Sequence, residues 1–162
     1  MASSLQRRIG ALRRATPAEL ERLYAAPLAL AIPSGRYAGC FLQRTPGWKR
    51  AGLLVRSAVA LGFAALPFGV DFDRSLWRLA GGAVRAGRFE LQPGPSHWRP
   101  TRTLAMHYEA SRLPASVRAL LYDEVKPLDD DLLLGLGCVA QGDLFFFALG
   151  AEPARGHLIG DA

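Results

Sequence analysis

Two adjacent carboxylates, Asp123 and Glu124, stand in an apolar run, Leu120-Leu121-Tyr122-Asp123-Glu124-Val125. Neighbours along a strand point to opposite faces, so one of the pair is expected inside. A carboxyl in apolar surroundings is pushed towards its neutral form unless it is paired, and Arg102, Arg118 and Lys126 are the cations at hand. Such a group could act as an acid, a base or a ligand anchor; a structural ion pair with an arginine of the next strand is the plainer alternative. Tyr122, in phase with Glu124, adds a hydrogen-bond donor.

The three histidines fall in a turn (His97), a strand (His107) and the tail (His157). None is spaced i, i+2 on a strand or i, i+4 on a helix from another, so no metal site is expected. No cofactor is expected either, although a single axial histidine such as His107 inside a small apolar barrel would suffice for haem. Cys40 and Cys138 lie in apolar surroundings without a CxxC pattern and read as free buried thiols, with a disulfide left open if their strands are neighbours. There is no G-x-S-x-G elbow, phosphate loop, dinucleotide fingerprint or H-E-x-x-H. Catalytic residues therefore stay unnamed, and the chain leans away from an enzyme.

Large apolar surface comes from Trp77, Trp98 and Phe145-Phe146-Phe147, which core packing alone would explain. Gly135 and Gly137 share one face of the strand beside the phenylalanine run, and their missing side chains predict a gap, filled by a cavity, a bulge or a close-packed helix.

These residues need elements to hold them. Thr16-Pro17-Ala18-Glu19 predicts a capped helix with Leu20, Leu23 and Tyr24 on one face, preceded by a frayed or helical arm over residues 1–15. Arg36 to Leu42 reads as a strand, and Trp48 to Leu66 as a long inserted helix, core-packed or interfacial and too short to span a bilayer. Ser75 to Leu79 is a further strand; Arg88 to Gln92 and Thr101 to Tyr108 form a hairpin around a Pro93-Gly94-Pro95-Ser96 turn. A strand ending at Val125 precedes a polar turn from Lys126 to Asp131, followed by a hairpin of Leu132–Val139 and Leu144–Leu149 that is apolar on both faces. One face should line a barrel and the other needs a helix or another subunit as cover.

At 162 residues, 50% of them hydrophobic and 21% charged, the chain fits one folded domain. The expected organisation is a basic arm and short helix (1–33), a β-barrel domain with an inserted helix at 47–67 (34–150), and a flexible tail (151–162). The fold class is mainly β (α+β), a small antiparallel barrel behind an N-terminal helical segment. The net charge of +6 is uneven. Residues through Arg56 carry nine Arg and one Lys against Glu19 and Glu21, whereas the rest is slightly acidic. This half suits an anionic membrane surface or an acidic protein; no nucleic-acid motif accompanies it. The arginine-bearing N-terminus lacks a following apolar stretch and cleavage site, so a cytoplasmic location is expected, an organellar transit peptide being the alternative.

Gly35-x-Tyr37-x-Gly39 resembles the G-x-W-x-G strand of lipocalin-like barrels, with Tyr in place of Trp. The segments 66–72 (LPFGVDF), 94–98 (GPSHW), 121–128 (LYDEVKPL), 134–137 (LGLG) and 145–149 (FFFAL) look like a group of uncharacterised bacterial proteins with a lipocalin-like (calycin-type) fold. The resemblance covers about residues 34 to 150; it implies a barrel with a pocket and brings no activity with it. The expectation is a module binding a small hydrophobic or amphipathic molecule inside the barrel, with Tyr122, Glu124 and His107 as polar contacts and Trp98 and Phe146 as wall. Alternatives are a membrane-surface or protein-interaction module using the basic half, and a barrel enzyme using Asp123 or Glu124 with His107 or Tyr122 in general acid/base chemistry. Oligomerisation is left open.

Overall fold

Two capped helices open the chain in the computed structural model, which describes residues 3–60, 67–119, 121–139 and 142–153. Helix α1 (Ser4–Arg14) starts at a Ser3–Gln6 capping box, and α2 (Pro17–Ala25) at the expected Thr16–Glu19 box with proline in its first turn. The arm is thus an ordered helix. Its Leu12 is buried, Ile9 and Leu5 lie against Gly150, and Arg8 is paired with Asp129 and Asp131.

Nine strands follow among the described residues: β1 (Arg36–Arg44), β2 (Phe68–Asp71), β3 (Leu76–Leu79), β4 (Val84–Ala86), β5 (Glu90–Pro95), β6 (Arg102–His107), β7 (Leu121–Asp129), β8 (Leu132–Val139) and β9 (Gly142–Ala151). They form one antiparallel sheet in the order β4-β3-β2-β1-β9-β8-β7-β6-β5.

This order forces the sheet to curl. Its edges, β4 and β5, are joined by residues 87–89 alone, a connection reaching about 14 Å at most. In a flat nine-stranded sheet the edges would stand about 38 Å apart. Side chains confirm the curl: the indole Nε1 of Trp77 on β3 donates to the Tyr108 hydroxyl just after β6 at 2.6 Å, although those strands are six places apart in the sheet. The result is a half-barrel with a concave and a convex face.

Both faces are buried. The concave core gathers Tyr37, Val70, Phe72, Trp77, Phe89, Leu104, Met106, Val125, Phe145 and Phe147; the convex one joins Leu12, Leu20 and Tyr24 of the helices to Leu134, Leu136, Phe146 and Ala148. The N-terminal helices are therefore the cover that the doubly apolar β8–β9 hairpin required. Cys40 and Cys138 are both free, on β1 and β8, with β9 between them.

Three local expectations shift. The long helix is a 3-10 turn (Pro46–Arg50), a break at Ala51-Gly52 with Gly52 extended as N-cap, and a short α3 (Leu53–Val59); residues 61–66 lie outside the described part. Pro93-Gly94-Pro95 belongs to β5 instead of forming a turn, because an edge strand tolerates proline where its N–H needs no partner. Strand β7 runs on through Lys126 and Pro127, its register shifting between Pro127 and Asp129. Most of the expected tail, from 154 onward, is outside the described residues.

Candidate functional site

Alternation along β7 sorts the sequence-predicted residues. Leu121 and Val125 pack into the concave core and Tyr122 into the convex one, so Asp123 faces inward and Glu124 and Lys126 face the helices. On β6 the same alternation sends Leu104 and Met106 inward and His107 to the convex side. Trp98 and Phe146 also belong to the convex core. The structure thus brings Tyr122, Glu124, His107, Trp98 and Phe146 together, but beneath α2 and the 96–101 loop and not inside the curl. The expected interior location is corrected: with both faces apolar, hydrophobicity gave no sign of which phase points in.

Glu124 is fully buried. Its carboxylate accepts hydrogen bonds from the Tyr24 hydroxyl at 2.8 Å, the Ser96 hydroxyl at 2.6 Å and the His97 backbone N–H at 2.8 Å. Neither Arg102, Arg118 nor Lys126 is ion-paired with it; neutral donors replace the expected cation. Lys126, equally buried, donates to the Tyr24 carbonyl at 2.6 Å and to Thr101 Oγ1 at 2.5 Å, and burial pushes its ammonium pKa down. Tyr24 is the shared partner, so α2 is fastened to β7 at two points. The Tyr122 ring stacks on His97 at 4.4 Å and meets His107 edge-on at 5.8 Å. Burial, and then the charge of Glu124, raise the Tyr122 hydroxyl pKa. This cluster has the marks of a structural lock, with every oxygen of Glu124 engaged.

The inward carboxylate, Asp123, ends a relay whose other two members, Trp77 and Tyr108, are buried. Trp77 Nε1 donates to Tyr108 Oη, which donates to Asp123 Oδ2 at 2.5 Å, while the Cys138 N–H reaches Oδ1 at 3.3 Å. Burial raises the Asp123 carboxyl to about 6, against the opposing effect of the Tyr108 hydrogen bond. Because Asp123 and Glu124 lie on opposite faces, they are not a catalytic pair, and His107 and Tyr122 accompany Glu124 alone. Tyr108 and Trp77 went unnamed as site residues in the sequence, although Tyr108 continues the inward phase of Leu104 and Met106.

The expected gap over Gly135 and Gly137 is filled. A Cβ on Gly135 would lie 2.1 Å from the Phe147 ring, and one on Gly137 2.5 Å from that of Phe145. These rings, and neither a cavity nor a helix, occupy the expected gap.

Open space appears instead at the corner where the sheet edges meet. A cleft of about 570 Å³ is lined by Leu76, Ala86, Gly87, Ala110, Ser111 and Leu113 together with Arg85, Arg88 and Arg112. All three arginines are exposed, and none forms an ion pair among the described residues. Gly87, at φ +59°, lies directly over the relay: a Cβ there would stand 3.2 Å from Trp77 and 3.5 Å from Tyr108. Phe89 N–H donates to the Ser75 carbonyl at 2.9 Å and fixes the corner. Sequence reading missed this cleft, whose one trace is a stretch from Arg74 to Phe89 with four arginines and no acid. Among the described residues no group of three His, Cys, Asp or Glu could hold a metal ion, and no helix is long and apolar enough to cross a membrane.

No protein-family profile and no curated protein matches the chain. Among solved structures, a crystal structure of a protein from Thermomonospora curvata is similar, with a TM-score of 0.52 and 18% identity over 91% of this chain and 95% of that one. At that identity the likeness establishes the fold, a curled antiparallel half-barrel, and nothing of the chemistry.

Proposed function

We propose that this chain is a binding module for a small amphipathic anion, seated in the corner cleft between Arg85, Arg88 and Arg112. The carrying observation is three exposed arginines, none ion-paired among the described residues, around a cleft that is otherwise half apolar through Leu76, Ala86, Ala110 and Leu113. Its volume lies in the range of small-molecule sites. Guanidinium groups pair with carboxylate or phosphate through two parallel hydrogen bonds, so the head group belongs at the arginines and the apolar part against the leucines. The lipocalin-like resemblance suits this reading in a modified form, with the ligand at the rim of the curl and not in its packed centre.

Calorimetric titration with decanoate tests it. Decanoate is expected to bind, decanol to bind about ten-fold more weakly, and Arg88→Ala with Arg112→Ala to weaken decanoate about a hundred-fold. Equal affinity for acid and alcohol, or an unchanged affinity of the double variant, rejects the reading.

A further inference from the structure

We infer that the α3 corner is a docking surface for an anionic lipid bilayer, a role independent of the arginine cleft. Leu53 and Leu54 are 71% and 86% exposed, the two most exposed of the large hydrophobic residues described. They occupy the first turn of α3, whose opposite side packs Val55 and Val59 against the concave core. An ordinary surface helix turns polar residues outward from such a core-facing side. Here the outward side bears Leu53, Leu54 and Ser57.

Cations flank these leucines along the chain. Lys49 and Arg50 precede them in the 3-10 turn, Arg56 follows on the helix flank, and the Arg44 guanidinium sits 4.6 Å over the Trp48 ring. None of the four basic groups is ion-paired among the described residues. No Asp or Glu occurs anywhere between Glu21 and Asp71, a stretch holding six basic residues. Two adjacent exposed leucines, flanked along the chain by cations without an ion pair among the described residues and by a half-buried tryptophan, match a bilayer interface, where acyl chains take the leucines, phosphate groups the cations and the headgroup layer the indole. An acidic protein surface would satisfy the cations but would need an apolar patch of its own at the leucines, whereas an anionic bilayer supplies both chemistries everywhere along its surface.

Co-sedimentation of the full chain with extruded vesicles tests this. Vesicles of phosphatidylglycerol mixed into phosphatidylcholine are expected to carry the protein down at low salt, with a partition coefficient about ten-fold or more above that for pure phosphatidylcholine. Leu53→Ser with Leu54→Ser, and separately Lys49→Glu with Arg50→Glu, should each lower it at least about ten-fold, circular dichroism remaining that of the parent. Arg88→Ala with Arg112→Ala should leave it unchanged, which separates this surface from the ligand cleft. Failure to sediment with anionic vesicles, equal binding to both vesicle types, or full binding by the leucine variant overturns the inference. Binding to polyglutamate in place of vesicles overturns it too, in favour of an acidic protein.

Discussion

Asp123 and Glu124 differ by one position and have opposite surroundings. Asp123 sits in the concave core with a carboxyl raised to about 6, above the ordinary aspartate value of about 3.9. A raised pKa means that the folded chain holds the proton more tightly than the unfolded one. The associated stability is complete below about pH 4 and is lost as pH rises through about 6. Relative to Asp123→Asn, the parent should therefore lose up to about 3 kcal/mol between pH 4 and pH 8, measured by denaturant unfolding at each pH. A parallel pH dependence of the two proteins would rule out a titrating Asp123 with a raised pKa. Glu124→Ala should destabilise by about 3 kcal/mol, since the Tyr24 and Ser96 hydroxyls and the His97 N–H lose their acceptor together. Sequence alternation correctly placed the two carboxylates on opposite faces. It could not say which faced inward, because Leu121 and Tyr122 are about equally apolar.

At the scale of elements, the β8–β9 hairpin, the β5–β6 pairing and the Thr16 cap were all legible, since each rests on residues close together in sequence. The glycine pair on β8 was legible only as missing volume. Its partner is the next strand, whose Phe147 and Phe145 rings lie on Gly135 and Gly137. Gly135→Ala should therefore overpack this contact and cost about 1–3 kcal/mol. Thermal unfolding of Gly135→Ala beside Gly135→Ala/Phe147→Leu should show the second change recovering part of the loss. If Phe147→Leu only adds to the damage, the ring is not what the glycine accommodates. The start of the inserted helix was read too early, at Trp48 instead of Leu53, because apolar periodicity persists across Ala51-Gly52, where the backbone is extended.

For the whole molecule, the curl is a property of strand order. It was hidden because the contacts that reveal it, Trp77 to Tyr108 and Phe89 to Ser75, join elements whose meeting no local pattern announces. Curling delivers to one corner three arginines that have no ion pair among the described residues, while the aromatic rings fill the centre. It also explains why the residues with the most suggestive chemistry in the sequence, Glu124, Tyr122 and His107, form a seam under α2, whereas the cleft is built from residues of unremarkable type. The proposed ligand of this corner is an amphipathic anion. Residue-resolved amide NMR during a decanoate titration tests this proposal most directly. Saturable shifts centred on Gly87, Arg88, Ala110 and Ser111 are expected, with Tyr122, His97 and His107 still. Shifts centred on the Tyr122–His97 seam, or none at saturating decanoate, would contradict it.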